Sequence, residues 1–240
     1  GDYYSEDGKR SALNTMSAYQ AFRQLCELYT DNGVPVSANF YNRFRTGEIP
    51  MGIENASAYL LFSYAAPEIA GNWSIAPVPG HKQADGTINR TNSGTAVDGC
   101  LILQQSDHLD DAWLFLKWWT QASTQVTFSE QVEGRIGAKA RWLSANQEAF
   151  VSLPWTKTDR VAIHSAWEWV RETPVVLGSY FTNRHLVNAI NRTVVQGVSA
   201  RDSLEEAVEQ IDRELSRRQT GYENRQTARE ATKRAGGGSV

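Results

Sequence analysis

The 240-residue sequence holds two cysteines, Cys26 and Cys100, too few for a disulfide-framed fold. Cys26 lies in a helical pattern and Cys100 in a strand-like one, both apolar, so both read as buried free thiols. No spacing argument supports a bond between them. Histidine is sparse and scattered, at 81, 108, 164 and 185. Neither H-E-x-x-H nor C-x-x-C occurs, which removes the common zinc frameworks. Phosphate-cradling G-x-G-x-x-G and G-x-x-x-x-G-K-[ST] loops are absent, as is the G-x-S-x-G nucleophile turn. No apolar run approaches the roughly 20 residues of a membrane span. The net charge is −3 and the pI about 5.9, and Lys and Arg are spread along the chain, unlike a nucleic-acid-binding surface. There is no initial Met. Gly1-Asp2-Tyr3-Tyr4 reads as the interior of a longer protein, so the lack of a leader says nothing about secretion.

Aromatics are plentiful: eight Trp, nine Tyr and eight Phe. Trp and Tyr combine an apolar face with a polar edge, which suits sugars, whose rings have C–H faces and hydroxyl rims. Most rings in a chain of this length are nevertheless core. A content of 41% hydrophobic residues is enough to bury a core in one or two domains.

Hydrophobic spacing predicts a helix from Thr15 or Ser17 to Thr30, stopped by Asp31-Asn32-Gly33 and Pro35. A short helix carrying Phe40 and Phe44 closes at Gly47. An apolar strand is expected over Ile49–Ile53, then the turn Glu54-Asn55-Ala56-Ser57 and a helix with Tyr59, Phe62 and Tyr64. A second strand is expected over Trp73–Ala76, a polar loop or hairpin tip over His81–Gly94, and a third strand over Cys100–Leu103. Ser106 is the expected cap of the next helix, with Trp113, Leu116 and Trp119 on its stripe; Trp113, Trp118 and Trp119 are expected to pack. Further helices are expected over 123–131, 144–150, from Thr158 or Asp159 to Arg171, and from Thr182 to Gln196. Asp202 with Glu205 resembles a capping box for the last helix, buried through Leu204, Val208, Ile211 and Leu215. Beyond Tyr222 the apolar content collapses, and 223–240 is expected to be a disordered or frayed polar tail.

The stretch from Asn39 to Gly80 has the order of parts of a ligand cleft, because loops leaving the carboxyl ends of strands line the crevice of α/β proteins. Paired carboxylates for glycosidic cleavage carry no specific signal. Glu54, Asp98 and Glu168 lie near aromatics but read better as caps or ion pairs. No catalytic, cofactor or metal-binding residue is assigned.

Four ordered segments resemble one family: FRTGEIPMGIENASAYLLF, NWSIAPVPG, DDAWLFLKWWTQASTQVTFSE and the closing helices ending at SLEEAVEQIDREL. The chain is similar to the C-terminal part of extracellular solute-binding proteins of the carbohydrate ABC-transporter type, relatives of maltose-binding protein, over about residues 1–222. The resemblance implies an α/β, type II periplasmic-binding-protein-like fold of two lobes, with the N-terminal half missing from this chain. By analogy 1–78 is a C-terminal-lobe segment, 79–98 a crossover, 99–150 an N-terminal-lobe segment and 151–222 C-terminal-lobe helices. The implied role is capture of a sugar or oligosaccharide outside the membrane, or in a periplasm, and delivery to permease subunits. No enzyme activity and no nucleic-acid partner follow, and membrane association would come only through a lipid anchor outside this chain. A glycoside hydrolase or lyase using Glu54 or Asp98, and a sensor or adhesion module, are the alternatives.

The resemblance places candidate ligand-binding residues in two regions. In the first, which holds Asn55, Ser57 and Tyr59, relatives often carry Trp where this chain has Ser57, and Tyr59 is the nearest ring. Asn55 offers amide donors and an acceptor, but equally suits a helix cap, and Tyr59 equally suits the core. In the second, Tyr180 and Phe181 suit stacking and Arg184 suits donation to hydroxyls or a uronate; a core Phe181 and an ion-paired Arg184 are the competing reading. Trp73 and Trp155 are weaker candidates.

Overall fold

The computed structural model describes residues 2–93 and 99–236. Two compact units emerge, one from residues 1–37 with 174–240, the other from 38–173.

In the first unit, α1 (Met16–Thr30) begins where Thr15 accepts a hydrogen bond from the Ala18 N–H. It packs with α8 (Tyr180–Val194) and α9 (Ala200–Gly236). Phe22 and Cys26 of α1 meet Ala189, Leu204 and Ala207, all buried. Ile211 and Leu215 continue the α9 stripe under Tyr4, whose hydroxyl donates to Thr182 Oγ1 at 2.8 Å. Every apolar residue expected on the α9 stripe is buried. The cap differs: the Ser199 hydroxyl accepts from the Asp202 N–H at 3.1 Å, so Asp202 lies inside the first turn, where its charge favours the helix dipole. Nor does this helix end at Tyr222. It continues to Gly236, where a disordered or frayed tail was expected; residues 221–236 contain neither Pro nor an apolar demand, and helix formers such as Ala, Arg, Gln and Glu extend the established turns. Residues 237–240 lie outside the described residues.

The second unit contains α2 (Phe40–Arg45), α3 (Ala56–Ala65), α4 (Leu109–Trp119), α5 (Ala122–Ile136), α6 (Gln147–Ser152) and α7 (Lys157–Trp167). Two short 3₁₀ turns, Pro67–Ile69 and Ala138–Ala140, complete its helical content among the described residues. Its core is Phe150, Leu153 and Trp155, covered by Leu60, Val126, Trp142 and Ile163. Strands are two residues each: β1 (His81–Lys82) pairs antiparallel with β2 (Ile88–Asn89), and β3 (Asn92–Ser93) pairs parallel with β4 (Val170–Arg171). The β1–β2 hairpin fits the expected hairpin tip.

The strands expected over 49–53, 73–76 and 100–103 form no ladder. Several of their apolar side chains face solvent, with Met51 80% and Leu101 78% exposed, whereas Trp73 is half-buried against Tyr59 and Phe62. Apolar content reports that a segment suits a strand buried on both faces, but a strand also needs a neighbour to take its backbone groups. Cys100 is exposed for the same reason, against the buried thiol expected, while Cys26 is buried and both are free. Helix α4 likewise turns Trp113 and Trp118 outward; Trp118 meets the rings of Phe115 and Trp119 on its own helix, while Trp119 packs across onto Phe128, edge-on at 5.0 Å, and Trp142. Ser106 does not cap α4. Its hydroxyl accepts from the His108 N–H at 3.2 Å in the turn before the helix, and His108 is the capping position.

Candidate functional site

The site region of the second unit is built around α3. Asn55 caps this helix. Its Oδ1 accepts from the Ser57 N–H at 3.0 Å and also from the Ser57 hydroxyl. This consumes the side-chain oxygen of Asn55 but leaves its Nδ2 protons without a protein partner, on an exposed residue. The approach to the cap is tight. A Cβ on Gly52 would lie 2.5 Å from Cε2 of Phe40, so only glycine lets the chain before Asn55 lie against that ring.

Helix α3 presents different chemistry on two sides. Ser57, Leu61 and Tyr64, at i, i+4 and i+7, line an open groove of about 450 Å3 together with Phe40, Tyr41, Glu54 and Lys139. The groove wall is aromatic and preorganised: Phe62 is stacked by Tyr41 at 5.5 Å and met edge-on by Phe40 at 5.8 Å. The Tyr41 hydroxyl is fixed by donating to the Ala65 carbonyl at 2.6 Å. Arg45 lies 5.3 Å from the Tyr41 ring centre and pairs with Glu68 at 2.5 Å.

Tyr59 points elsewhere. Its hydroxyl donates to Asp159 Oδ2 at 2.7 Å, and its ring packs on Trp73 at 5.3 Å and Trp155 at 4.8 Å. Burial, and then the bond to Asp159, push the Tyr59 phenol above its ordinary pKa. Trp155 is itself buried and donates to the Trp142 carbonyl at 3.2 Å. Arg141 pairs with Glu133 at 2.7 Å and lies 5.7 Å from the Trp155 ring. That hydrogen bond to Glu133 is the first cause raising the Arg141 pKa, against the opposing effect of burial. Gln125 completes the scaffold, donating to the Trp119 carbonyl at 2.8 Å and accepting from Trp142 Nε1 and the Ser144 hydroxyl. Tyr59 and Trp155 thus hold α3 on α7, while Ser57 faces the groove.

The other candidate region belongs to the first unit. Gly178, at φ +94°, sits where a Cβ would lie 3.3 Å from the Glu214 carbonyl oxygen and Leu215 Cα. Close passage over α9 is what directs the chain into α8. Tyr180, the first residue of α8, is 82% exposed and meets Phe181 edge-on at 5.4 Å. Phe181 is half-buried, with the Arg218 guanidinium 5.2 Å from its ring centre. Arg184 is exposed and makes no ion pair among the described residues. The six sequence candidates therefore divide three and three: Asn55, Ser57 and Tyr59 in one unit, Tyr180, Phe181 and Arg184 in the other.

Phe40, Tyr41, Leu61, Tyr64 and Lys139 were not among the candidates. The spacing of Ser57, Leu61 and Tyr64 on one helical face was a usable signal; Lys139, distant in sequence, gave none. Of the carboxylates considered for chemistry, Glu54 lines the groove, Glu168 is exposed at the end of α7, and Asp98 lies outside the described residues. Among the described residues no cluster of three or more His, Cys, Asp or Glu is arranged for a metal, and no helix is long and apolar enough to cross a membrane.

The chain has the type II periplasmic-binding-protein-like fold. The model superposes on the sugar-binding protein MalE from Xanthomonas citri with a TM-score of 0.69 and 19% identity, covering 93% of this chain and 55% of that one. An ABC-transporter solute-binding protein from Thermotoga lettingae bound with α-D-tagatose aligns with a TM-score of 0.62 and 15% identity, over 90% of this chain and 53% of that chain. A putative oligosaccharide periplasmic-binding protein from Synechococcus sp. in complex with zinc gives 0.61 and 20%, over 90% and 55%. The chain therefore spans about half the length of the solved proteins it matches. No curated protein sequence matches it. The family model for bacterial extracellular solute-binding protein matches residues 1–126, just over half of the 240 residues, and the chain belongs to that family.

Proposed function

We propose that this chain is the carbohydrate-binding part of an ABC importer's solute-binding protein, working outside the cytoplasmic membrane and handing a sugar or oligosaccharide to permease subunits. The observation that carries this reading is the family match over 1–126, to which the aromatic, polar groove beside the capped start of α3 gives a physical counterpart. A volume of about 450 Å3 falls within the ~300–1,000 Å3 of small-molecule sites. Its partly exposed rings and unpartnered polar groups are what ring stacking and hydroxyl recognition require.

Binding rather than turnover is the natural use of such a site. Glycosidic cleavage needs two carboxyl groups across the bond, and among the described residues lining the groove Glu54 is the sole carboxylate. Within the second unit the candidate ligand contacts in this reading are Asn55 through Nδ2 and Ser57; the first unit, taken by itself, offers Tyr180 and Arg184. Tyr59 and Phe181 contribute ring surface only where Trp73, Trp155 and Arg218 leave it open. Titration calorimetry of the whole natural protein against mono- and oligosaccharides tests the assignment. Stoichiometric binding without product formation is expected, and absence of binding to every sugar would sink it.

A further inference from the structure

Glu133 holds both ends of the segment that brings Lys139 to the groove. The chain leaves α5 at Gly137, whose N–H donates to the Glu133 carbonyl at 2.7 Å. It turns through Ala138–Ala140, closed by the Ala140 N–H on the Gly137 carbonyl at 3.0 Å and the Arg141 N–H on the Ala138 carbonyl at 3.1 Å. Arg141 then returns to the Glu133 side chain, donating from Nη2 to Oε1 at 2.7 Å and from Nε to both carboxylate oxygens at 3.2 Å. Of the nine ion pairs among the described residues this one alone is mostly buried on both sides, each side chain being 17% exposed. The turn packs on α3, and Lys139 at its middle is exposed and lines the groove.

We infer that Arg141 is a positioning residue of the groove: paired with Glu133, it holds the Ala138–Ala140 turn on α3, so that Lys139 stands at the groove wall before a ligand arrives. This rests on the sugar-binding reading above and adds to it a residue that touches no ligand. Arg141 is not among the described residues lining the groove. Its guanidinium lies 5.7 Å from the Trp155 ring and its charge acts on the Tyr59 phenol, so its effect on a ligand passes through the turn. A guanidinium fork on a carboxylate fixes direction as well as distance. Burial on both sides keeps the pair from being screened as surface pairs are. A turn fixed in advance is not ordered at the ligand's expense, and that saving appears as affinity.

Tryptic cleavage of the whole natural protein tests the clamp without a ligand. Arg141→Met and Glu133→Gln are each expected to speed the cut after Lys139 by about tenfold, and Arg141→Lys, which keeps the charge but not the fork, by less. Leu215→Ala lowers stability on α9, away from the clamp, and is expected to change neither this cut nor sugar affinity. Calorimetry with glucose, tagatose, maltose and cellobiose reads the consequence for binding. Lys139→Met and Arg141→Met are each expected to weaken the tightest-binding probe by about fivefold, and the double variant no further than the worse single one, because Arg141 acts through Lys139. An unchanged cut after Lys139 in Arg141→Met overturns this inference whatever the sugars do. So do full affinity in either single variant and losses that multiply in the double variant; each of these leaves sugar binding standing. No binding of any probe by the unaltered protein overturns both.

Discussion

The hydroxyl of Tyr59 donates to Asp159 Oδ2 at 2.7 Å, and the same carboxylate oxygen takes the Thr156 hydroxyl at 2.6 Å. Thr156 is the cap of α7, accepting from the Asp159 N–H at 3.1 Å. One carboxylate therefore ties the first turn of α7 to the middle of α3. Tyr59→Phe keeps the ring against Trp73 and Trp155 but loses this tie. It is expected to cost about 1 kcal/mol, read as a lower urea midpoint. Sugar affinity that falls sharply while that midpoint stays put would instead make the hydroxyl a ligand contact.

The same pair sets a pH dependence. The Tyr59 phenol is raised in the fold by burial and by Asp159, so the fold favours the neutral form over the unfolded chain's, which ionises near pH ~10. Its contribution is fully present below about pH 10 and is lost as pH rises through the folded value. The stability gap between the unaltered protein and Tyr59→Phe should therefore hold between neutral pH and pH ~9 and narrow in more alkaline solution. A gap that widens with pH would contradict this.

Asn55 separates capping from ligand binding by atom. Oδ1 is the capping acceptor, and Nδ2 is free. Asn55→Ala should lower stability by about 1 kcal/mol. Asn55→Asp preserves an oxygen at the cap and adds a charge the helix start tolerates, so its melting temperature should match the unaltered protein. If Nδ2 donates to a ligand, sugar affinity should nevertheless drop in the Asp variant. Equal affinity would confine Asn55 to the cap.

The two thiols should differ in reactivity. Cys100 is exposed, whereas Cys26 is buried and its pKa is raised, chiefly by burial. Native protein treated with a disulfide reagent near pH 8 should release one equivalent quickly and the second only on unfolding. Cys100→Ser should remove the fast phase. Two fast equivalents would mean that the α1–α9 packing over Cys26 opens readily.

Leu215 and Ile211 are completely or almost completely buried on α9. Truncating either to Ala should cost about 2–5 kcal/mol, seen as a loss of helicity at lower urea. An equivalent truncation at exposed Trp113 of α4 should stay within about 0.5 kcal/mol. A large effect at Trp113 would mean that this exposed ring is itself buried in the folded protein.

The helices were legible because each carries its own instruction. Thr15, one of the two caps the sequence offered beside Ser17, caps α1, and the α9 stripe of Leu204, Val208, Ile211 and Leu215 is buried as its spacing required. Met51, Ile53, Leu101 and Leu103 were read as strand residues from apolar content alone, yet a strand exists only with a partner, and no local pattern shows whether one is supplied. The candidate site split similarly. Asn55 and Ser57 were named as ligand candidates from the resemblance; what the local composition of the turn shows is the cap, which the structure has. Lys139 was missed because nothing in its neighbourhood announces that it borders the same groove as Glu54.

The sequence by itself determined which segments become helices, the buried faces of α1 and α9, and the absence of the metal, phosphate and nucleophile motifs searched for, since these depend on spacing within a few residues. It determined the family through the order of its segments. Only the tertiary structure decided that Tyr59 spends its hydroxyl on Asp159, that Ser57 and Tyr64 share a groove with Lys139, and that Tyr180 rather than Phe181 keeps its ring exposed. Those outcomes depend on which side chains packing brings within a few ångströms across long stretches of chain. Such neighbours are chosen by burial and hydrogen bonding, not by their separation along the sequence.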